Sequence, residues 1–461
     1  EGATHMQSYD VDVAIIGAGI AGIAAAYYLA TEHKRTRLLI LDMGQPMALT
    51  SAASGENYRN WWPHPTMTAL TDHSISLIED IARRTNNRFH MTRRGYVLAT
   101  RRSRPEDLIR QLDASYGTAP EGTIRIHESA SVSSYEPPIS ADWEAAPGGV
   151  DVLLDRELIR RHFPYFDPEI ATILHVRRAG DISGQQLGQY MLEKTRAAGG
   201  RFRQARVTAI GSNGRFTLET EANGIREIVR ADVIINAAGP FAAHVSALHG
   251  ESLPIINVLQ QKIAFPDQQG AISRQMPFSI DLDGQSIEWT PEEREALSTD
   301  PNLARFLDPM PGNIHCRPDG GERGTWIKLG WAYNSTPSAS MLEPPLDPNF
   351  PEIVLRGASR LHPRLKPYIA AMPRERIHYG GYYPMTAENW PLIGPAKTPG
   401  VFLITALSGY GTMAACAAGD MCARWVAGAT PSTLARQLSF ERYEDEALMA
   451  GAAGTAHRGH L

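Results

Sequence analysis

Residues 11 to 30, VDVAIIGAGIAGIAAAYYLA, constrain the fold more than any other stretch of this chain. The apolar run Val11 to Ile16 has the pattern of a strand that is buried on both faces. Gly17, Gly19 and Gly22 follow with the spacing GxGxxG, and the alanine-rich stretch after them predicts a helix. In such a unit the glycines allow a tight turn, close approach of the backbone to a pyrophosphate, and close packing of helix on strand. The segment therefore predicts a βαβ unit that binds a dinucleotide at a helix N-terminus.

A second predicted strand, RLLILD, strengthens this interpretation because it ends in an acidic residue. Asp42 stands about 20 residues after Gly22, where a carboxylate accepts hydrogen bonds from a ribose diol. A lone GxGxxG is a weak signal, but strand, glycines, helix, strand and acid occur here in the expected order. The motif alone does not distinguish NAD from FAD.

Two later segments have a related pattern. ADVIINAAGPFAAHV, residues 231 to 245, predicts a buried strand that ends in a turn of small residues. Residues 400 to 428 repeat the order of strand, glycine turn and helix, with the turn SGYG at 408 to 411. A helix that begins near Thr412 would direct its positive dipole end at an anionic ring system such as a reduced flavin. An ordinary packed helix is the alternative for this last piece.

Composition limits the possible functions. The 461 residues predict about two domains, and a net charge of -5 gives no electrostatic footprint for nucleic acid. The 15 histidines show no metal-ligand spacing, and three cysteines are too few for a disulfide framework, so we expect no metal and a cytoplasmic protein. No apolar run is long enough for a membrane span. The opening EGATHM is interpreted as an expression-tag remnant.

Four segments together resemble one family along nearly the whole chain. They are GAGIAG with Asp42, TSAASGENYR at 50 to 59, NAAGPFA, and GGYYPMTAENWPLIGP at 380 to 395 followed by SGYG. They look like the D-amino-acid oxidase superfamily of FAD-dependent amine oxidoreductases, and most like its monomeric sarcosine oxidase and N-methyltryptophan oxidase branch. The resemblance implies an α/β fold with a Rossmann-like FAD-binding domain of the glutathione-reductase type and an α+β substrate domain with an antiparallel sheet.

The resemblance also implies discontinuous domains. The FAD-binding domain would take residues 7–83, 155–256 and 374–461, and the substrate domain 84–154 and 257–373. Strand-like segments such as NVLQQKIAF and TWIKLGWAY, bounded by turn residues, agree with a sheet in the second domain. Residues 281–311 are interpreted as an extra helical excursion that covers the site or a partner surface, with a plain surface loop as the alternative. The sequence does not indicate an oligomeric state.

The FAD is expected to be held non-covalently, because no cysteine or histidine matches the family's covalent flavin anchors. Gly381 stands at the position that resembles the sarcosine oxidase cysteine. The candidate FAD-binding residues are Gly17, Gly19, Ile20, Ala21, Gly22, Asp42, Met43, Ser51, Ser54, Gly55, Val207, Ala237, Ala238, Gly239, Ser408, Gly409, Tyr410, Gly411 and Thr412.

Three residues are candidates for catalysis. Lys328 lies in TWIKLGW, where its charge would be desolvated unless something uses it or it reaches solvent. In the sarcosine oxidase branch a similar segment carries a lysine near flavin N5 that promotes reaction with oxygen, so the resemblance implies this role for Lys328. Arg59 resembles an arginine close to the flavin ring, with a surface salt bridge as the alternative. Tyr410 stands where the branch has the histidine of SGHG.

The substrate pocket is predicted to be more aromatic and less basic than that of sarcosine oxidase. Two cations that hold the substrate carboxylate there are Trp62 and Met413 here, and a further histidine is Ala332. Arg317 is a candidate for binding a carboxylate. We expect a substrate bulkier than sarcosine, either apolar or cationic. Aromatic residues that line this pocket, or pack in the core as the alternative, are Trp61, Trp62, Trp331, Tyr382, Tyr383 and Tyr410.

The sequence thus predicts an FAD-dependent oxidase that converts an amine or amino acid to an imine, with oxygen as acceptor and hydrogen peroxide as product. The flavin carries the chemistry while the protein supplies orientation and charge. A dehydrogenase of the same fold that passes electrons to a quinone or carrier protein is the first alternative. A non-catalytic flavoprotein subunit is the second.

Overall fold

The computed structural model describes residues 7–116, 119–138, 143–321 and 323–450. Two large β-sheets and a two-stranded ribbon form the frame of this part of the chain. The tag-remnant interpretation of residues 1–6 lies outside the described residues.

The first sheet has eight strands and carries the predicted dinucleotide unit. Its strands are β1 (Ser8–Ile16), β2 (Leu38–Asp42), β9 (Arg201–Gln204), β10 (Arg206–Asn213), β11 (Arg215–Ala222), β12 (Ile225–Asn236), β18 (Leu392–Pro395) and β19 (Val401–Thr405). Strand β1 lies between β2 and β12 and is parallel to both, which explains its continuous apolar run. The carboxyl ends of these three strands meet at one edge, where ligands bind in open α/β sheets.

The second sheet has nine strands, in the order β17-β13-β16-β15-β14-β4-β7-β6-β5. Its strands are β4 (Tyr96–Thr100), β5 (Ile124–His127), β6 (Val150–Leu153), β7 (Thr172–Val176), β13 (Ile256–Pro266), β14 (Phe278–Asp281), β15 (Ile314–Asp319), β16 (Trp326–Trp331) and β17 (Ile377–Met385). The ribbon pairs β3 (Asn57–Arg59) with β8 (Ala179–Asp181). Strands β13, β15, β16 and β17 pair antiparallel, as expected for the substrate domain.

Small residues let the central helices pack closely. A Cβ on Gly419 of the C-terminal helix would lie 2.6 Å from Ala24 of the first helix, so glycine is required at this crossing. The helices are α1 (Ile20–Glu32), α2 (Pro65–Arg84), α3 (Glu106–Tyr116), α4 (Arg156–His162), α5 (Gly184–Ala197), α6 (Ala242–Ala247), α7 (Pro291–Ser298), α8 (Phe350–Leu361), α9 (Pro367–Ala370), α10 (Gly411–Val426) and α11 (Thr433–Gln437). Among the described residues, none of the helices is both long and apolar enough to cross a membrane.

The predicted fold class is confirmed: parallel and antiparallel sheets combine in one mixed α/β structure. Strands β7 and β17 belong to the nine-stranded sheet although they lie in segments predicted for the FAD-binding domain. The domain boundaries themselves stay a prediction. The 281–311 excursion contains the short helix α7, which begins with a capping box between Thr290 and Glu293. None of its residues lines the large cavity described below, and Phe306 packs in the core of the nine-stranded sheet instead.

Candidate active site

A cavity of about 690 Å³ lies between the carboxyl ends of β1, β2 and β12 and one face of the nine-stranded sheet. Both parts of the fold contribute to its wall, because glycine turns from the first sheet and side chains of β13 to β15 from the second all line it. The cavity is therefore built from segments that are far apart in sequence, and its size suits a large organic ligand.

Glycine is required where β1 turns into α1. Gly17 has φ +114°, and a Cβ there would lie 2.1 Å from the carbonyl oxygen of Ala237. Gly19 is the N-cap of α1 and has no side chain to cap the free N–H groups of the first turn. The N–H of Ile20 donates to Ser51 Oγ at 3.0 Å. An uncapped helix N-terminus at a cavity wall is suited to binding phosphate.

Asp42 is fixed at the end of β2 by two backbone groups. Its carboxylate accepts hydrogen bonds from the N–H of Ala18 at 2.7 Å and of Gly44 at 2.8 Å. Burial raises the pKa of Asp42, while the two N–H groups oppose that rise. Asp42 also lines the cavity.

The structure brings nearly all the predicted FAD-binding residues together in one wall. Gly22 is the exception, since a Cβ on it would lie 2.1 Å from the oxygen of Gly17, so it serves helix–strand packing. Those that line the cavity are Gly17, Gly19, Ile20, Ala21, Asp42, Met43, Ser51, Ser54, Gly55, Val207, Ala237, Ala238, Gly239, Ser408, Gly409, Tyr410, Gly411 and Thr412.

A second uncapped helix begins at the other end of this wall. Tyr410 is the N-cap of α10 and makes no side-chain cap; its hydroxyl donates instead to the oxygen of Asn389 at 2.9 Å. Thr412 Oγ1 and Ser54 Oγ lie 2.7 Å apart and tie α10 to the 50–59 loop. A Cβ on Gly409 would lie 2.7 Å from the ring of Tyr383, so this glycine leaves room for that ring in the cavity. Burial raises the pKa of Tyr410, which stays protonated.

One lysine of the described residues lines the cavity, and it is Lys262 on β13. Its side chain is largely buried, and its Nζ donates to the oxygen of Ala53 at 3.3 Å. Nζ also lies 3.5 Å from the hydroxyl of Tyr383 and 5.6 Å from the centroid of that ring. These two oxygens are the partners found for Nζ among the described residues, and neither belongs to a carboxylate, so the charge of Lys262 has no counter-ion there.

Lys328 lies outside the cavity wall. Its Nζ is 3.6 Å from a carboxylate oxygen of Glu56 and 3.6 Å from one of Asp319. Arg317 joins the same cluster, since its guanidinium donates to the oxygen of Gly55 at 2.9 Å and pairs with Asp319 at 3.1 Å. Burial and the neighbouring Arg317 lower the pKa of Lys328. Lys328 and Arg317 are therefore engaged in one ion-pair cluster with Glu56 and Asp319.

Arg59 is fully buried, and its three side-chain nitrogens have no hydrogen-bond partner among the described residues. The guanidinium carbon lies 4.1 Å from the ring of Trp62 and 5.5 Å from that of Tyr96, and both rings line the cavity. Burial lowers the pKa of Arg59 to about 10, so it remains charged near neutral pH. A buried cation without an acceptor costs free energy, and an anionic group in the adjacent cavity would offset that cost.

The predicted substrate residues separate into two groups. Trp62, Tyr383 and Met413 line the cavity, as does Tyr410. Trp61, Trp331 and Tyr382 do not. Trp331 packs in the core of the nine-stranded sheet and donates its ring N–H to Pro311. Trp61 packs in a separate cluster, and Tyr382 alternates with Tyr383 along β17, so only one of the two tyrosines reaches the cavity.

Several residues of the wall that the nine-stranded sheet supplies were not predicted from the sequence. These are Tyr96, Lys262, Phe278 and His315, together with Glu56 and Asn57 near the ribbon. For Lys262 a usable signal existed, because LQQKIAF places a lysine in an apolar strand in the same way as TWIKLGW. The described residues contain no cluster of histidine, cysteine and acidic side chains that would hold a metal ion.

The lining of the cavity suits the phosphates of a dinucleotide. Two helix N-termini without caps open onto it, and glycines occupy the positions where a Cβ would close the turns. Residues 12–425 match the family model described as FAD dependent oxidoreductase, DAO. A comparison with curated proteins gave no match.

Solved structures of similar fold include three enzymes. Glycine oxidase from Geobacillus kaustophilus is 16% identical, with 92% of this chain and 96% of that chain covered and a TM-score of 0.66. L-Proline dehydrogenase from P. horikoshii is 16% identical, with 95% and 98% covered and a TM-score of 0.70. Iminodiacetate oxidase from Chelativorans sp. BNC1 is 19% identical, with 91% and 96% covered and a TM-score of 0.65. At these identities the likeness establishes the fold.

Proposed function

Because the chain belongs to the FAD-dependent oxidoreductase (DAO) family, we propose that it oxidises the C–N bond of an amine or amino acid to an imine, with oxygen as acceptor and hydrogen peroxide as product. The chemistry that bound FAD supplies is two-electron oxidation of that bond. The observation that carries the proposal is the position of Lys262, a cation without a counter-ion at the wall opposite the glycine turns.

The residues of the first sheet would hold the cofactor. The N-terminus of α1 would bind its phosphates and Asp42 a ribose, while the N-terminus of α10 would face the ring system. We propose non-covalent binding, because Gly381 has no side chain to bond and a Cβ there would lie only 3.1 Å from the Cβ of Ala53. Acid precipitation should then release all the FAD into the supernatant, and flavin that remains with the pellet would contradict this part.

Lys262 would favour oxygen as the acceptor. Electron transfer to oxygen creates negative charge, and a fixed cation in a partly dry cavity stabilises that charge without reorganisation. The role that the sequence predicted for Lys328 is here assigned to Lys262. Lys328 would instead have a structural role, since it pairs with the carboxylate of Glu56, which lines the cavity.

The substrate would be bulkier than sarcosine and would not be a polyamine. Trp62 and Tyr383 offer aromatic faces, but the protein's own Arg59 and Lys262 already lie near these rings. A further cation in the substrate would meet both of these charges. A bulky monoamine that binds as its neutral base, or a bulky amino acid whose carboxylate faces them, is the better fit. The expectation of a cationic amine is therefore not retained.

A dehydrogenase is the second candidate, and the surface at the cavity mouth favours it. Leu342 lines the cavity and is 54% exposed, and its neighbour Met341 is 53% exposed, which suits an apolar quinone. One of the similar folds is also an L-proline dehydrogenase. The experiment that separates the two candidates is reoxidation of the substrate-reduced protein by air or by a soluble quinone. Rapid peroxide formation supports the oxidase, and reoxidation by quinone alone supports the dehydrogenase.

A further inference from the structure

The position of His315 on β15 is defined by strand pairing in the nine-stranded sheet. In the strand register Lys262 pairs with Gly330, and Gly330 pairs with His315, so the three residues form one row across the sheet. A Cβ on Gly330 would lie 2.2 Å from Cε1 of His315, so glycine leaves the space that the imidazole occupies. The ring stacks on Phe278 at 4.9 Å between centroids and lines the cavity.

The imidazole is held in place but makes no side-chain hydrogen bond within the described parts of the chain. A neutral imidazole carries one N–H donor and one nitrogen acceptor, and both remain available to a ligand. Burial, the charge of Lys262 and the charge of Arg317 lower the pKa of His315 to about 3. The acceptor lone pair is therefore present throughout the neutral range.

Several polar groups near Lys262 are donors or are already engaged. Lys262 has donors only, and the oxygens of Glu56 are engaged, one by the N–H of Gly184 at 2.7 Å and the other by Lys328 at 3.6 Å. The hydroxyl of Tyr383 already lies 3.5 Å from Lys262. His315 is thus an uncommitted acceptor in the same row of the sheet as Lys262, and Asn57 Oδ1, on the ribbon side of the cavity, is a second one among the described residues.

We propose that His315 binds the amine nitrogen of the substrate by accepting a hydrogen bond from its N–H group. This rests on the proposed function, because it assumes that the cavity takes an amine. The interaction would fix the nitrogen next to Phe278 and Lys262, and it would distinguish amines from isosteric compounds that lack an N–H.

Binding to reduced protein tests the proposal without turnover. The dithionite-reduced holoenzyme is titrated anaerobically by calorimetry with N-methylbenzylamine and with its isostere benzyl methyl sulfide, which has no N–H donor. His315→Leu should weaken binding of the amine about tenfold and change binding of the sulfide less than twofold. His315→Asn or His315→Gln, each with an acceptor oxygen, should restore amine binding to within threefold of wild type.

His378→Leu is the matched control. His378 lies on β17 of the same sheet, bonded to Gln261 at 2.8 Å, and does not line the cavity, so both ligands should bind this variant as they bind wild type. Equal losses for amine and sulfide in His315→Leu would overturn the proposal, as would a wild type that does not prefer the amine. Failure of the proposed function gives a different result: the oxidised wild type would then not be bleached by any amine.

Discussion

Replacing Lys262 by methionine should affect the two half-reactions, flavin reduction by substrate and flavin reoxidation by oxygen, to different extents. The change keeps side-chain length and removes the only lysine charge at the cavity wall of the described structure. Lys262 Nζ lies 5.6 Å from the centroid of the Tyr383 ring, which lines the cavity. We use this separation for an anion in the cavity. At an effective dielectric constant of 20, a unit charge at this separation is worth about 3 kcal/mol. Reoxidation by oxygen should therefore slow on the order of 10²-fold.

Lys328→Met is the matched variant on the neighbouring strand. It removes the cation shared by Glu56 and Asp319, so it should lower the free energy of unfolding by about 1–3 kcal/mol and leave reoxidation nearly unchanged. Anaerobic stopped flow times flavin reduction by substrate, and mixing with air-saturated buffer times reoxidation. Reoxidation that is slow in Lys328→Met and normal in Lys262→Met would refute this reasoning and restore the sequence-based assignment.

Three further predictions follow from single contacts. Asp42→Ala should raise the FAD dissociation constant at least tenfold, since the carboxylate that fixes the end of β2 is lost; an unchanged value in equilibrium dialysis would contradict its role. Trp62→Leu should raise KM for the best bulky substrate about tenfold with no gain for sarcosine, and an unchanged KM would make Trp62 a core residue only. Burial lowers the pKa of His175 and His362 to about 3, so both stay neutral in the fold and protonate on unfolding below pH 6.5. Stability should thus fall as pH drops from 6.5 towards 3, by up to about 1.4 kcal/mol per pH unit for each histidine. Urea titrations at several pH values should show that the free energy of unfolding depends less on pH in His362→Gln. The exposed-site variant His90→Gln should show the same pH dependence as wild type.

The part of the cavity wall that would hold the cofactor could be predicted from the sequence, because the residues that form it lie close together in the chain. Gly17, Gly19 and Asp42 belong to one βαβ unit, and their roles follow from backbone geometry at fixed spacings. The third glycine, Gly22, was grouped with ligand contacts, although its neighbour is the oxygen of Gly17. The packing role that the motif gives to its third glycine is therefore the one that the structure supports.

The part of the cavity wall that the nine-stranded sheet supplies depends on strand register, which a single sequence does not specify. Lys262 and Lys328 lie in similar apolar strands, but Lys328 pairs with Ala264 and Lys262 with Gly330, two residues further along the ladder. That shift brings one ammonium to the cavity and the other to an ion-pair cluster. The row that contains His315 and Lys262 is likewise set by strand pairing, since Gly330 pairs with His315 on one side and with the distant Lys262 on the other.

The most direct test of the account is anaerobic titration of the oxidised protein with a panel of amines, followed by admission of air. The panel contains glycine, sarcosine, proline, N-methylphenylalanine, N-methylbenzylamine and spermidine, and flavin absorbance is the signal. We expect a bulky monoamine or a bulky amino acid to bleach the flavin fastest, ahead of sarcosine and spermidine, and air to restore the colour with one peroxide per flavin. A flavin that no amine bleaches, or one that is bleached fastest by glycine, sarcosine or spermidine, would contradict it.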